Sequence, residues 1–268
     1  MYGKLDVNAF YQTIDELFAS RQIAKAEQYM LQKLHEAGQK QDLEGIVAVC
    51  NELGGLYRAM RRTDEAMWAY EKVITGLEKL GMQEGENYAS ALINLGNVYI
   101  TLKDYRKAYE TDLRAMEIVN RTGDTYQRAS LFNNMSAILR ELGRTDEAQA
   151  FALHAISIIQ TMPEQVAELA TSYTNLGQAK AKSSLYDEAR ADLEYALSLY
   201  ESYNGENDMH YAMAVYALAN VDYEQGRYES AKEGYEKAAK LIERDFGRNR
   251  DYDAAIKAAE RARTRRGE

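Results

Sequence analysis

Apolar and small residues recur along this chain with two nested periods. Within a segment they fall three and four apart, the spacing of one face of an α-helix. From Leu92 to Ala115 this gives two helices with a turn near Lys103 and Asp104. Across segments the pattern repeats. An alanine falls at Ala66, Ala108, Ala148, Ala189 and Ala231, in steps of 42, 40, 41 and 42 residues. Seven residues later stand Val73, Ala115, Ala155, Ala196 and Ala238. Thirteen residues before the alanine stand Leu53, Leu95, Met135, Leu176 and Leu218, each followed by a small residue: Gly54, Gly96, Ser136, Gly177 and Ala219. Small residues at fixed places let two helix backbones approach, and the large residue fills the hole beside them. Self-similarity at this period marks a solenoid of helix pairs. The expected repeats are about 43–82, 85–124, 125–164, 166–206 and 208–247.

The quoted residues resemble the tetratricopeptide repeat family, whose pattern runs Leu-Gly, Tyr three residues on, then Ala, an aromatic and Ala. Here that reads Leu53, Gly54, Tyr57, Ala66, Tyr70 and Val73, or Leu95, Gly96, Tyr99, Ala108 and Ala115. The family's early tryptophan is replaced by Cys50, Leu92, Phe132, Tyr173 and Val215. The period exceeds the family's usual 34 or so residues, which resembles the long-helix subgroup with the kinesin light chain and bacterial peptide-sensor repeats. The resemblance implies an all-α fold, a right-handed superhelical α-α solenoid, that binds another protein or a peptide.

Residues 1–42 lack the Leu-Gly signature. Phe10, Ile14, Leu17 and Phe18, then Ile23, Ala26, Met30 and Leu34, mark a degenerate helix pair after a frayed start at 1–8. It is expected to cap one end, since terminal repeats are atypical. Residues 248–268 are expected to form a C-terminal capping helix. Its small stripe is Ala254, Ala255, Ala258, Ala259 and Ala262, and its basic side is Lys257, Arg261, Arg263, Arg265 and Arg266. Gly81, Gly123, Gly205 and Gly247 are expected to close second helices, with Pro163 in that role in the third repeat. Thr63 and Thr145 are expected as N-caps, followed by acids that suit the positive helix end.

Composition narrows the function. The chain has 268 residues, 46% apolar and 28% charged, with a single proline and net charge −9. That charge disfavours nucleic acid, which needs a basic stripe, and an anionic membrane surface. The first twenty residues hold no apolar run of a signal peptide, and no stretch reaches membrane-span length. The expectation is a soluble, cytoplasmic protein. Cys50 is the only cysteine, which excludes an internal disulfide and suits a small buried hydrophobe.

In tetratricopeptide arrays the first helices line the inner face. The residue before the repeated Leu, with those three and seven later, forms one helical stripe. These stripes are Glu52-Gly55-Ala59, Asn94-Asn97-Thr101, Asn134-Ala137-Glu141, Asn175-Gln178-Lys182 and Ala217-Asn220-Glu224. A flanking row adds Asn51, Arg58, Ile93, Ile100, Asn133, Arg140, Thr174, Tyr216 and Tyr223. Asn94, Asn134 and Asn175 hold one position in three consecutive repeats. An amide offers both a donor and an acceptor, so such a ladder suits the backbone of an extended peptide. Asn97, Gln178 and Asn220 extend it. Arg58, Arg140 and Lys182 are candidates to read an acidic side chain; Tyr216 and Tyr223, with Ile93 and Ile100, are candidate apolar anchors. The family's clamp for a C-terminal carboxylate needs lysines where this chain has Asn51, Ile93, Asn133, Thr174 and Tyr216.

His35, His154 and His210 share no metal-ligand spacing, and Cys50 has no partner. No glycine-rich phosphate loop follows a strand. No cofactor, metal or catalytic centre is expected. The leading expectation is a peptide- or protein-binding adaptor using an Asn-rich groove. The alternatives are a sensor of a short signalling peptide and a self-associating scaffold.

Overall fold

Helices form where the apolar period runs, and the chain turns where it breaks. The computed structural model describes residues 4–208 and 210–265, among which lie thirteen α-helices. The fold is an α-α solenoid. The chain divides into two compact units, Met1–Gln127 and Arg128–Glu268. In the first unit, α1 (Val7–Ala19), α2 (Ile23–Gln39), α3 (Leu43–Ala59), α4 (Thr63–Lys79), α5 (Glu86–Thr101) and α6 (Tyr105–Thr122) each pack on the helix before. The second unit takes most of α7 (Thr125–Glu141), then α8 (Thr145–Ile159), α9 (Val166–Lys182), α10 (Tyr186–Tyr203), α11 (Tyr211–Glu224), α12 (Tyr228–Phe246) and α13 (Arg250–Arg265). From α9 onward each again packs on its predecessor. Phe132 of α7 meets Phe151 of α8 at 5.6 Å between ring centroids. Nearest-neighbour packing of this kind is how a solenoid builds one core from units too small to have their own.

The repeated alanines Ala66, Ala108, Ala148, Ala189 and Ala231 are all fully buried. Four residues after Ala66 and Ala189 comes the side chain that fills the space left by the small residue of the first helix. A Cβ on Gly54 would lie 2.7 Å from the Tyr70 ring, and one on Gly177 would lie 2.7 Å from Leu193 Cγ. The third repeat has only Ala152 at this place, and the second has a carboxylate. There the filler is Asp112, fully buried against Gly96.

The turn inside each pair recurs too. Five residues before the repeated alanine the backbone is left-handed: Arg61 (φ 56°), Lys103 (φ 61°), Gly143 (φ 77°), Ser184 (φ 62°) and Gly226 (φ 76°). The following N–H groups reach back to close the helix, Arg62 to Tyr57 O at 2.8 Å and Asp104 to Tyr99 O at 2.9 Å. This satisfies the carbonyls that a helix end leaves open.

Several expectations need correction. Thr63 and Thr145 are the first helical residues, and the N-caps are Arg62 and Arg144, with no side-chain cap bond. The neighbouring left-handed residue sets the helix start, which moves Thr one place inward. The side-chain caps instead include Asp6, Asp42 and Asp104, with Asp124 accepting from Gln127 N–H before α7 and Asn249 from Tyr252 N–H before α13. α8 ends at Ile159, before Pro163, because Thr161 and Met162 already turn the chain, their N–H groups donating to the carbonyls three residues back, Ile158 O and Ile159 O. Residues 4–8 are not frayed: Leu5 N–H donates to Asp42 Oδ2 at 2.8 Å and α1 starts at Val7. In α13, Ala255, Ala258, Ala259 and Ala262 are buried, while Ala254 faces water. Arg266 lies outside the described residues.

Candidate peptide-binding face

The first helices of the pairs, α3, α5, α7, α9 and α11, are closely packed, so what each leaves accessible is a narrow stripe. In α5, from Glu86 to Val98, the residues not buried are Glu86, Asn87, Ser90, Asn94 and Asn97; Tyr99 to Thr101 follow at the helix end. From Asn87 these fall three and four apart, one side of a helix. In α9, Thr171, Asn175, Gln178 and Lys182 lie on such a stripe. Side chains here are half-buried: held in place by neighbours, with an edge left open.

In the first unit, Asn94 and Asn97 are half-buried, and neither amide has a partner among the described residues. Asn51 donates to Glu52 Oε1 at 3.1 Å. Arg58 is exposed beside the Tyr70 hydroxyl. Burial pushes the Glu52 carboxyl above the usual carboxylate range; the Asn51 bond opposes this and the nearby Asp15 charge adds to it. Glu52 in turn helps to raise the Tyr11 hydroxyl, though burial is the main cause there.

In the second unit, Asn175 Nδ2 donates to the backbone carbonyl of Asn133 at 3.3 Å, tying α9 to α7. Asn134 Nδ2 is buried with no partner, and so is Asn133 Oδ1. Arg140 does not stand free to read a ligand. It bonds to Gln178 Oε1 and, at 3.0 and 3.1 Å, to Glu141 Oε1. Lys182 is exposed at the end of α9. Asn220 accepts from the Tyr235 hydroxyl at 2.8 Å. The two tyrosines are engaged by the C-terminal helix. The Arg261 guanidinium of α13 lies 4.3 Å from the Tyr223 ring centroid. Tyr216 packs on Tyr235 at 5.3 Å, within the cluster holding Ala258, Ala259 and Ala262. Spacing placed all these residues on accessible stripes; it could not foresee that Arg140, Gln178, Tyr216 and Tyr223 find partners within the chain.

One group was passed over. Glu52 is the only charged residue at the position otherwise held by Asn94, Asn134, Asn175 and Ala217, and that break in the ladder was the available signal. Elsewhere, His154 is exposed and Cys50 fully buried, its thiol pushed up to about 12 by burial. Among the described residues no three His, Cys, Asp or Glu side chains are grouped to hold a metal, and no helix is long and apolar enough to cross a membrane.

Comparison with known proteins agrees with this architecture. A tetratricopeptide repeat model matches residues 87–161 and 168–244, and a second model of the same description matches 47–75. The kinesin light chain-related protein 3 of Arabidopsis thaliana is 24% identical over 231 residues, 82% of this chain and 34% of that protein. The chain therefore spans about a third of that relative's length. Among solved structures, NprR in complex with its cognate peptide NprX superposes with TM-score 0.75 at 16% identity, over 97% of this chain and 74% of that one. BtubC (BKLC) from P. vanneervenii gives TM-score 0.63 at 21% identity, over 86% of this chain and 93% of that one.

Proposed function

The chain belongs to the tetratricopeptide repeat family, and from that premise we propose that it is a non-catalytic binding module. It holds an extended segment of another protein, or a peptide, against the polar stripes of its first helices. In the first unit Asn94 and Asn97 supply amides to a ligand backbone, with Asn51 at the margin; in the second Asn134 and Asn175 do so, with Asn220 and the Arg140–Gln178 pair at the margins. Arg58 and Lys182, both exposed, read side chains of the ligand. Tyr216 and Tyr223 support the face from beneath rather than anchor the ligand.

The observation that carries this reading is Asn134. Its amide nitrogen is buried without a partner, and an unmade buried donor costs about 1–3 kcal/mol. Asparagine is also a poor residue for a helix interior, so helix propensity gives no reason for it. Asn134 as a whole is half-buried, and a turn of its side chain would bring the nitrogen to a ligand carbonyl and recover the lost bond. NprR, whose fold the chain shares, was solved with a peptide, and the same class of ligand is proposed here.

The test begins with selection of binders from a random peptide display library. A selected peptide is then titrated against the wild type and against Asn94→Ala with Asn134→Ala. Each lost amide pair is expected to weaken binding by about 1–3 kcal/mol, roughly 5- to 150-fold. Equal affinity for both proteins would move the working surface to another face.

A further inference from the structure

Among charged side chains on these stripes, Glu52 differs from the rest. Arg58, Lys182 and Glu224 are exposed and keep their water, while Arg140 is half-buried but paired with Glu141. Glu52 is half-buried, and its bond is to a neutral amide, Asn51 Nδ2. No cation lies within ion-pair distance of it among the described residues. The groups that couple to it electrostatically are Asp15, Tyr11 and Tyr70, none of them basic, and Arg58 bonds to the Tyr70 hydroxyl rather than to Glu52. α1, the source of Asp15 and Tyr11, contains no Lys or Arg.

The surface beside Glu52 is low. The next stripe positions on α3 are Gly55 and Ala59, and a Cβ on Gly55 would stand 3.9 Å from the Tyr70 hydroxyl. A long side chain could therefore lie along α3 with its head at the carboxylate. A carboxylate held half out of water without a counter-ion is stabilised by any cation that reaches it. The other four repeats place Asn or Ala here, so the preference would apply at one point along a bound segment.

Resting on the reading of this face as a peptide-binding surface, we propose that Glu52 is a specificity residue that selects a basic side chain, Lys or Arg, in the bound segment. Asn94 and its equivalents take hold of backbone and are blind to sequence; Glu52 fixes register by accepting the cation.

The test repeats the display selection on three full-length proteins: wild type, Glu52→Gln and Glu52→Lys. Wild type is expected to enrich Lys or Arg at one position of the selected peptides. Glu52→Gln, which keeps shape and loses charge, is expected to lose that enrichment, and Glu52→Lys to replace it with Asp or Glu. Replacing the basic residue of a wild-type peptide by norleucine should cost about tenfold against wild type and little against Glu52→Gln. Peptides that bind and respond to Asn134→Ala but show no basic preference would overturn this inference alone. So would a norleucine penalty of the same size in both proteins. Failure of every variant to select any peptide would instead overturn the reading of the face itself.

Discussion

Tyr88 and Tyr211 stand at the same point of the repeat, twenty residues before Ala108 and Ala231, and each ties three helices together. Tyr88 of α5 donates to Glu78 Oε1 of α4 at 2.7 Å and accepts from Arg114 Nη2 of α6 at 2.7 Å. Tyr211 of α11 donates to Glu201 Oε1 of α10 at 3.1 Å and accepts from Lys237 Nζ of α12 at 3.1 Å. In both the hydroxyl sits between an acid and a base, and both rings are buried. Tyr88→Phe keeps the ring and removes the bridge. Because Glu78 and Arg114 still reach water, the expected loss is about 0.5–1.5 kcal/mol, read as a lower urea midpoint at unchanged slope. An unchanged midpoint would mean that the bridge adds nothing to stability.

Lys103 occupies the left-handed turn position with φ 61°, where a side chain costs roughly 1–2 kcal/mol. Gly143 and Gly226 fill the equivalent place in other repeats. Lys103→Gly is therefore expected to stabilise the protein by about 0.5–1 kcal/mol, the strain relief less the entropy glycine adds to the unfolded chain. Thermal melting of the variant checks this; a lower melting temperature would show that the Lys103 stem contributes more than its backbone costs.

The repeat was legible because each helix pair needs a small residue where backbones meet and a large one beside it, and both needs recur at one spacing. The turn was less legible, since Arg61, Lys103 and Ser184 adopt a conformation that glycine would have announced. On the candidate face, spacing gave the stripe but not the state of each side chain. Whether Arg140 turns to Gln178, or Tyr223 lies under Arg261, depends on rotamers and on a helix some forty residues away. Such contacts leave no period in the chain. Asp112 has the opposite character. Its repeat position forecasts a filler such as Tyr70 or Leu193, and the carboxylate there breaks that rule.

Asn134 and Asn175 share a repeat position but differ in what they hold, and stability separates them. Asn175 donates to Asn133 O, whereas the Asn134 nitrogen is buried without a partner. Alanine at either place gains similar helix propensity. Only Asn175→Ala also gives up a bond, so it should be less stable than Asn134→Ala by about 0.5–1.5 kcal/mol. Denaturant titration of the two single variants side by side would show the gap. Equal stability would imply that the Asn134 amide is as well satisfied as its counterpart, which would remove the main support for a ligand there.

High pH should unfold the chain through its buried tyrosines. Burial pushes the hydroxyl of Tyr200 well above the ordinary value, and that of Tyr235 up to about 12; Tyr70 moves the same way. The unfolded chain titrates these groups near 10.0. Above that pH the unfolded state has released protons that the folded state still holds, so folding stability falls as pH rises. The contribution is fully present below about pH 10 and is lost progressively toward pH 12. Tyrosinate absorbance should therefore rise in two stages, the second from this buried set and together with loss of helical circular dichroism. Tyr235→Phe removes one such group, and its second stage should be less steep in pH, even though the bond to Asn220 is lost and overall stability is lower. If all rings titrated in one step near pH 10 while helicity persisted, the helix contacts around Tyr70, around Tyr200 and around Tyr235 would each have to be open to water.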